Sequence, residues 1–293
     1  MKATGLKAAA GAVLLAAALA PGQKADVKSP ATAPAKALTV GQIVDRTNRV
    51  SYYQGADGRA KVKMTIVDAR GQKRTREMTI LRWDKPDKDK PADTYCGDQK
   101  FYVYFHRPAD VNKMAFLVWK HLAKDDDRWL YLPGLDLVKR IAAGDKRTSF
   151  VGSHFLYEDV SGRNVNDDKH ELVSTSANYY VLKNTPKKPK LVEFSSYKMW
   201  ILRKNFLVVR TTYYDEQDKP RRQYDALKWD MIGGYPTVTK ARMTDLTSNT
   251  DQKDPSKKAH TLLEYEGVKY DLKLPESIFT ERYLRRAPRK YLK

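Results

Sequence analysis

From Lys61 onward, polar turns interrupt the chain so often that short β-strands are what fits between them. Val62, Met64 and Ile66 alternate with Lys61, Lys63 and Thr65, the period-2 pattern of a strand with one apolar face, and "ARGQ" turns this run into a second one ending "REMTILRW". That spacing predicts a hairpin. Further strands are expected in "KFYVYFHR", "KMAFLVWKHL", "DRWLYL", "LVKRIA", "HELVST", "NYYVLK", "KLVEFSSY", "MWILRK", "FLVVRTTYYD", "RRQYDALKWDMI", "YPTVTKARMTDLT" and "HTLLEYEGVKY". Clusters such as "DEQDKP", "IGGYP" and "SNTDQKDPSKK" separate the later runs, which is the rhythm of an antiparallel meander. One amphipathic helix precedes them. In "LTVGQIVDRTNRV", Thr39 stands three residues before Gln42 as in a capping box, and Val40, Ile43, Val44, Thr47 and Val50 recur at helical spacing.

Several strands are apolar on both faces: Phe101, Val103 and Phe105 point one way, Tyr102 and Tyr104 the other. A sheet with one dry and one wet face would alternate more cleanly. A curved sheet, with a partly aromatic convex face and a concave face wrapped around helices or a ligand, accounts for the pattern. A closed barrel or sandwich with a filled core accounts for it equally.

At the N-terminus, "MKATGLKAAAGAVLLAAALAPG" places Lys2 and Lys7 before an apolar run from Ala8 to Ala20, too short to span a bilayer comfortably. Residues 1–22 read as a secretory signal peptide, cut after Ala20, Gly22 or Ala25, and no cysteine follows the run to carry a lipid anchor. Residues 23–37, rich in Ala, Pro and Lys, read as a disordered leader, with one domain over 38–293. The expected compartment is the periplasm, with the mature chain soluble. Cys96 is the single cysteine, so no internal disulfide forms, and it reads as an incidental thiol.

The formal charge of +20 favours anionic partners. Export argues against nucleic acid, which leaves lipid headgroups or an acidic protein surface, against the plainer reading of a solvated basic exterior. Chemistry is harder to find. Gly152-Ser153-His154 lacks the second glycine of a nucleophile elbow, and neighbouring residues on a strand face opposite ways. Ser153 reads instead as the N-cap of a short helix "HFLYEDV" with Glu158 and Asp159 on its exposed side. The five histidines show no H-x-x-x-H or H-E-x-x-H spacing, and no phosphate-binding glycine loop occurs. Neither enzyme nor cofactor nor metal site is expected.

The blocks "DRWLYLPGLDLVKRI", "DKRTSFVGSHFLYEDVSGR", "RTTYYDEQDKPRRQYDALKWDMIGGYPTVTKARMTD" and "LPESIFTERYLRR" together resemble the outer-membrane lipoprotein-sorting family, the LolA-like proteins, in order from about Leu38 to Arg286. That resemblance implies a mainly β fold with some α: an incomplete antiparallel β-barrel, a curved sheet around an apolar cavity, with short helices as its lid. It implies a periplasmic carrier of a lipid or acylated lipoprotein, working between an inner-membrane exporter of the resistance-nodulation-division type and an outer-membrane acceptor, with transient membrane contact. A lipid sensor or adaptor docked on an envelope complex is the family-level alternative.

On this reading Met64, Ile66, Met78, Ile80, Phe101, Val103, Phe116, Val118, Trp129 and Tyr131 line the cavity, with Phe150, Phe155, Leu156 and Tyr157 as its lid or rim. Lys139, Arg140, Lys146, Arg147 and Arg163 stand around the mouth for an anionic headgroup or a partner. Gly144, Gly152 and Gly162 bracket the lid as hinges, and a lid of this kind is expected to contribute little to the main core.

Overall fold

Both halves of the expected capping box form: the Thr39 hydroxyl accepts from Gln42 N at 3.2 Å and the Gln42 side-chain oxygen accepts from Thr39 N at 3.0 Å. They open α1, Val40–Tyr52, whose Ile43 and Val44 turn inward at helical spacing. The computed structural model describes residues 37–86, 97–248, 254 and 257–293. The expected signal peptide, nearly all of the leader and Cys96 lie outside the described residues.

Thirteen strands follow: β1 Asp57–Val67, β2 Lys73–Asp84, β3 Gln99–Arg107, β4 Ala115–Lys120, β5 Asp127–Leu132, β6 Leu137–Arg140, β7 Asp168–Thr175, β8 Tyr179–Pro186, β9 Ser196–Leu202, β10 Val208–Tyr214, β11 Pro220–Ile232, β12 Tyr235–Asp245 and β13 His260–Tyr270. They form one antiparallel sheet in the order β6-β5-β4-β3-β2-β1-β13-β12-β11-β10-β9-β8-β7. Two meanders run outward from the β1–β13 seam, where Met64 pairs with Leu263 across 199 positions of chain. The outer strands β6 and β7 do not pair with each other among the described residues, so the curved sheet stays open, as expected. Residues Leu38–Lys293 make one compact unit.

One pair of expected strands is corrected. "KLVEFSSY" and "MWILRK" contribute a single strand, β9, and Pro189–Leu191 instead forms one 3-10 turn. Pro189 cannot donate to a ladder and presets the φ of such a turn.

The sheet is apolar on both faces because both are covered. On the inner face lie α1 and the connection from β6 to β7, which contains the short helix α2, Tyr157–Ser161. On the outer face the C-terminal segment after β13 packs Leu274, Ile278, Phe279, Leu284 and Leu292 against Leu81, Tyr102, Leu117 and Trp129. Backbone carbonyls of that segment satisfy the polar ends of the aromatic residues beneath: Tyr102 OH donates to Tyr283 O at 2.8 Å, and Trp119 Nε1 to Phe279 O at 2.8 Å. The Asp57 carboxylate holds the segment's start, accepting from Leu272 N and Leu274 N, both at 2.7 Å.

Candidate functional site: a cavity under a helix and a strap

Strand pairing decides which alternate residues meet. Val62 lies opposite Met78, Met78 opposite Phe105, Ile80 opposite Val103, Phe101 opposite Val118 and Val103 opposite Phe116. Directly opposed residues share a face. Met64, Ile66, Met78, Phe101, Val103, Phe116 and Val118 therefore gather in one buried inner cluster, with Ile80 packed at its edge. Met64, Met78, Ile80 and Phe101 reach a cavity of about 440 Å³, whereas Ile66, Val103, Phe116 and Val118 form solid core beside it. Trp129 and Tyr131 do not belong to this set. Leu130 takes the inward position on β5, so its neighbours point outward and pack under the C-terminal segment.

The remaining walls come from elements whose contribution the sequence pattern did not reveal. Val44 and Tyr52 of α1 line one side, and Leu182, Met199, Tyr213 and Tyr224 of β8 to β11 line another. The alternation Tyr197, Met199, Ile201 along β9 was the available signal for this second wall. Ile201 and Leu182 also receive Ile43 and Val44, which seats α1 against the inner face.

The expected lid is a strap bound into the core. Phe150 sits 6.0 Å from Phe105, 5.4 Å from Phe116 and 5.5 Å from Tyr157, ring centre to ring centre. Phe150, Phe155 and Tyr157 are all buried in the inner cluster, and Phe150 and Phe155 also face the cavity. The expectation of a lid with little share in the core is corrected, because the strap fills the concavity that β3 and β4 leave. Leu156 is half-buried, forms a single bridge with Ser149 and does not reach the cavity. Gly152 and Gly162 have positive φ, of 74° and 75°, whereas Gly144 does not. Tyr52 lies flush against Gly162, with its ring where a Cβ would stand.

Ser153 does not cap α2. Its hydroxyl donates to Phe155 O at 3.3 Å and accepts from Phe155 N at 3.2 Å. The Asp159 carboxylate does the capping instead, accepting from Leu156 N at 2.7 Å. His154 turns elsewhere, with Nδ1 2.8 Å from Thr261 Oγ1. Glu158 and Asp159 are not solvated: Glu158 is 2% exposed, because cations surround it. Lys146 Nζ lies 3.4 Å and Arg163 Nη1 3.5 Å from its carboxylate, and Arg147 bonds it directly. Burial pushes the Glu158 carboxyl up, but Arg147, Arg163 and Lys146 outweigh it and hold it below its ordinary value. Asp159 pairs with Arg222, yet burial prevails and keeps it above its ordinary value.

This cluster gives the cavity a polar pole in which each charge has a partner. Arg163 makes a bidentate pair with Asp168, Nε to Oδ2 and Nη2 to Oδ1 both at 2.9 Å, and Tyr197 OH donates to the same carboxylate at 2.7 Å. Arg147 reaches Glu193 at 2.8 Å and lies 5.0 Å above the Phe194 ring. Of the five expected mouth cations, Arg147 and Arg163 line the cavity and Lys146 joins their network. Lys139 and Arg140 do not. They sit on the outer strand β6, and Arg140 pairs with Asp127 over the outward Trp129 ring. The strap folds back across the inner face after β6 and so parts them from the other three.

Beside the strap, Lys120 is a buried cation. Its Nζ donates to Ser161 O at 2.7 Å and lies 4.8 Å above the Tyr52 ring, and burial lowers its pKa to about 8. No group of three or more metal-ligating side chains occurs among the described residues.

An open antiparallel barrel with an inner helix, a strap and an apolar cavity with one polar end defines the class. A family model described as an uncharacterized protein matches residues 97–286, more than half of the chain. A DUF1329 family protein from Desulfovibrio piger is 28% identical, covering 83% of this chain and 96% of that one with a TM-score of 0.70. A domain from Vibrio parahaemolyticus named for outer membrane lipoprotein sorting shares the fold at 22% identity, with 84% and 97% covered and a TM-score of 0.69. A LolA superfamily protein from Nitrosomonas europaea does so at 18% identity, with 84% and 100% covered and a TM-score of 0.61. No curated protein sequence matches significantly. The chain belongs to the family of that model, and its fold is the one seen in the lipoprotein-sorting domain and the LolA superfamily protein.

Proposed function

We propose that the protein carries the acyl chains of a lipid or acylated lipoprotein in this cavity and shuttles them between the membranes of the envelope. The observation that carries the reading is the cavity itself. Its volume of about 440 Å³ falls in the range of small-molecule sites, and methionine, leucine, valine and phenylalanine side chains form much of its wall. Each methylene withdrawn from water contributes about 0.8 kcal/mol, so a covered acyl chain can offset most of the cost of leaving a bilayer. Methionines at positions 64, 78, 199 and 243 add a deformable lining suited to chains of differing shape.

At the polar end, Arg147 and Arg163 are the basic groups we assign to the cargo's headgroup. Since both are already paired, an anionic headgroup would bind by exchanging with Glu158, Glu193 or Asp168. We place the protein in the periplasm after removal of residues 1–22, with residues 38–293 as the carrier domain. An inner-membrane exporter of the resistance-nodulation-division type and an outer-membrane acceptor are its proposed partners. Native mass spectrometry of protein purified from membranes should show a lipid adduct, displaced by a fluorescent fatty acid. Protein that is always empty and ignores such probes would overturn the reading.

A further inference from the structure

The C-terminal segment has a second side. Between Arg282 and Lys293 the sequence "RYLRRAPRKYLK" contains six basic residues and no acidic one. Leu284, Pro288 and Leu292, spaced by four, are buried against the outer face of the sheet, while Arg282, Arg285, Arg286, Arg289, Lys290 and Lys293 are all exposed. The apolar anchors thus turn every cation toward solvent. Arg286, Arg289 and the exposed Lys113 stand with Tyr104 and Tyr131 around a groove of about 470 Å³ on this outer face. No ion pair with a carboxylate is found for Arg286 or Arg289 among the described residues, unlike Arg147 and Arg163 of the inner cavity.

A protruding apolar tip adjoins this basic field. Arg285 Nε donates to Asp136 Oδ1 at 3.0 Å and Nη2 to Asp136 O at 3.1 Å, which ties the segment to the turn between β5 and β6. Tyr131 OH donates to the same carboxylate at 3.1 Å. On either side of Asp136, Leu135 is 73% and Leu137 45% exposed. Large exposed leucines are unfavourable in water, and a rim of cations beside them suits an interface that is apolar inside and anionic outside.

We propose that this outer surface docks on anionic phospholipid membranes, with Arg286 and Arg289 on headgroup phosphates and Leu135 entering the headgroup–acyl boundary. The proposal extends the membrane contact in the functional reading to a particular surface, and it does not depend on what the cavity holds. Charge complementarity and the exposed apolar tip favour a lipid surface over an acidic protein, which would use the cations but leave Leu135 without a role.

Flotation of the full chain with vesicles tests it. Binding is expected to phosphatidylcholine vesicles containing phosphatidylglycerol, and little to phosphatidylcholine alone. Each basic residue near an anionic surface contributes about fivefold, so Arg286→Gln with Arg289→Gln should lower binding roughly 25-fold. Leu135→Ser should weaken binding several-fold while its dependence on anionic lipid remains. Lys219→Gln with Lys228→Gln, the same charge change on exposed residues at β10–β11, should have far less effect. Fluorescent fatty-acid uptake by the cavity should be unchanged in all these variants. Equal losses in both double variants would overturn a localised surface, as would binding indifferent to phosphatidylglycerol. Joint loss of vesicle binding and fatty-acid uptake would overturn a surface separate from the cavity. Capture of polyglutamate without any vesicle binding would replace the membrane by an acidic protein.

Discussion

Gly162→Ala measures how α1 and the strap are locked together. Gly162 has φ 75° and ψ 153°, a region of backbone space that is nearly glycine-only, and a side chain there costs about 1–3 kcal/mol. A Cβ would also stand 2.2 Å from the Tyr52 ring. The ring cannot shift freely, since Lys120 lies over it and Tyr52 O accepts a hydrogen bond from Gln99 Nε2 at 2.6 Å. Overpacking of this kind costs about 1–3 kcal/mol more. The sum, about 2–6 kcal/mol, converts to a fall in Tm of roughly 4–24 °C at about 2–4 °C per kcal/mol for a domain near this size. A double-mutant cycle with Tyr52→Ala separates the two causes. Without the ring the clash disappears and only the backbone strain remains, so the cycle should show about 1–3 kcal/mol of coupling. Thermal melts and urea titrations of the four proteins provide the numbers. A Gly162→Ala protein that melts with the wild type, or a cycle with no coupling, would refute the contact and with it the close seating of helix on strap.

Phe155→Asp should lose fatty-acid probe binding and also stability, by about 3 kcal/mol or more in denaturant titrations, because the residue belongs to both core and cavity wall. Ser153→Ala should cost about 1 kcal/mol and leave probe binding intact, since only the two long local contacts of its hydroxyl with the Phe155 backbone are lost. Glu158→Gln should destabilise by about 2–4 kcal/mol in the same titrations, leaving Arg147, Lys146 and Arg163 with an uncompensated buried charge. For Lys120, the folded pKa of about 8 lies below the unfolded value of about 10.4, so the unfolded chain binds more protons between these values. Its contribution to stability therefore rises with pH from about 8 to 10.4. Melts across that range should show the rise in the wild type and a flatter profile in Lys120→Met.

Local signals carried a good part of the architecture. The Thr39–Gln42 box marked the start of α1, and period-2 runs marked nearly every strand, because capping and alternation depend on residues a few positions apart. The same alternation grouped Met64, Met78, Phe101 and Phe116 on one face. It could not say that Trp129 and Tyr131 turn away, since shifting a strand's pairing by one residue exchanges its faces and the pairing of β4 with β5 is a tertiary fact. Nor could it bury Glu158. A carboxylate in "YEDV" reads as solvated until Arg147 and Arg163 are brought onto it from opposite ends of the strap. The cavity belongs to this second kind of information. Its walls unite α1, the strap and strands on both sides of the seam, where residues about two hundred positions apart become neighbours through cooperative pairing that no short stretch of sequence encodes.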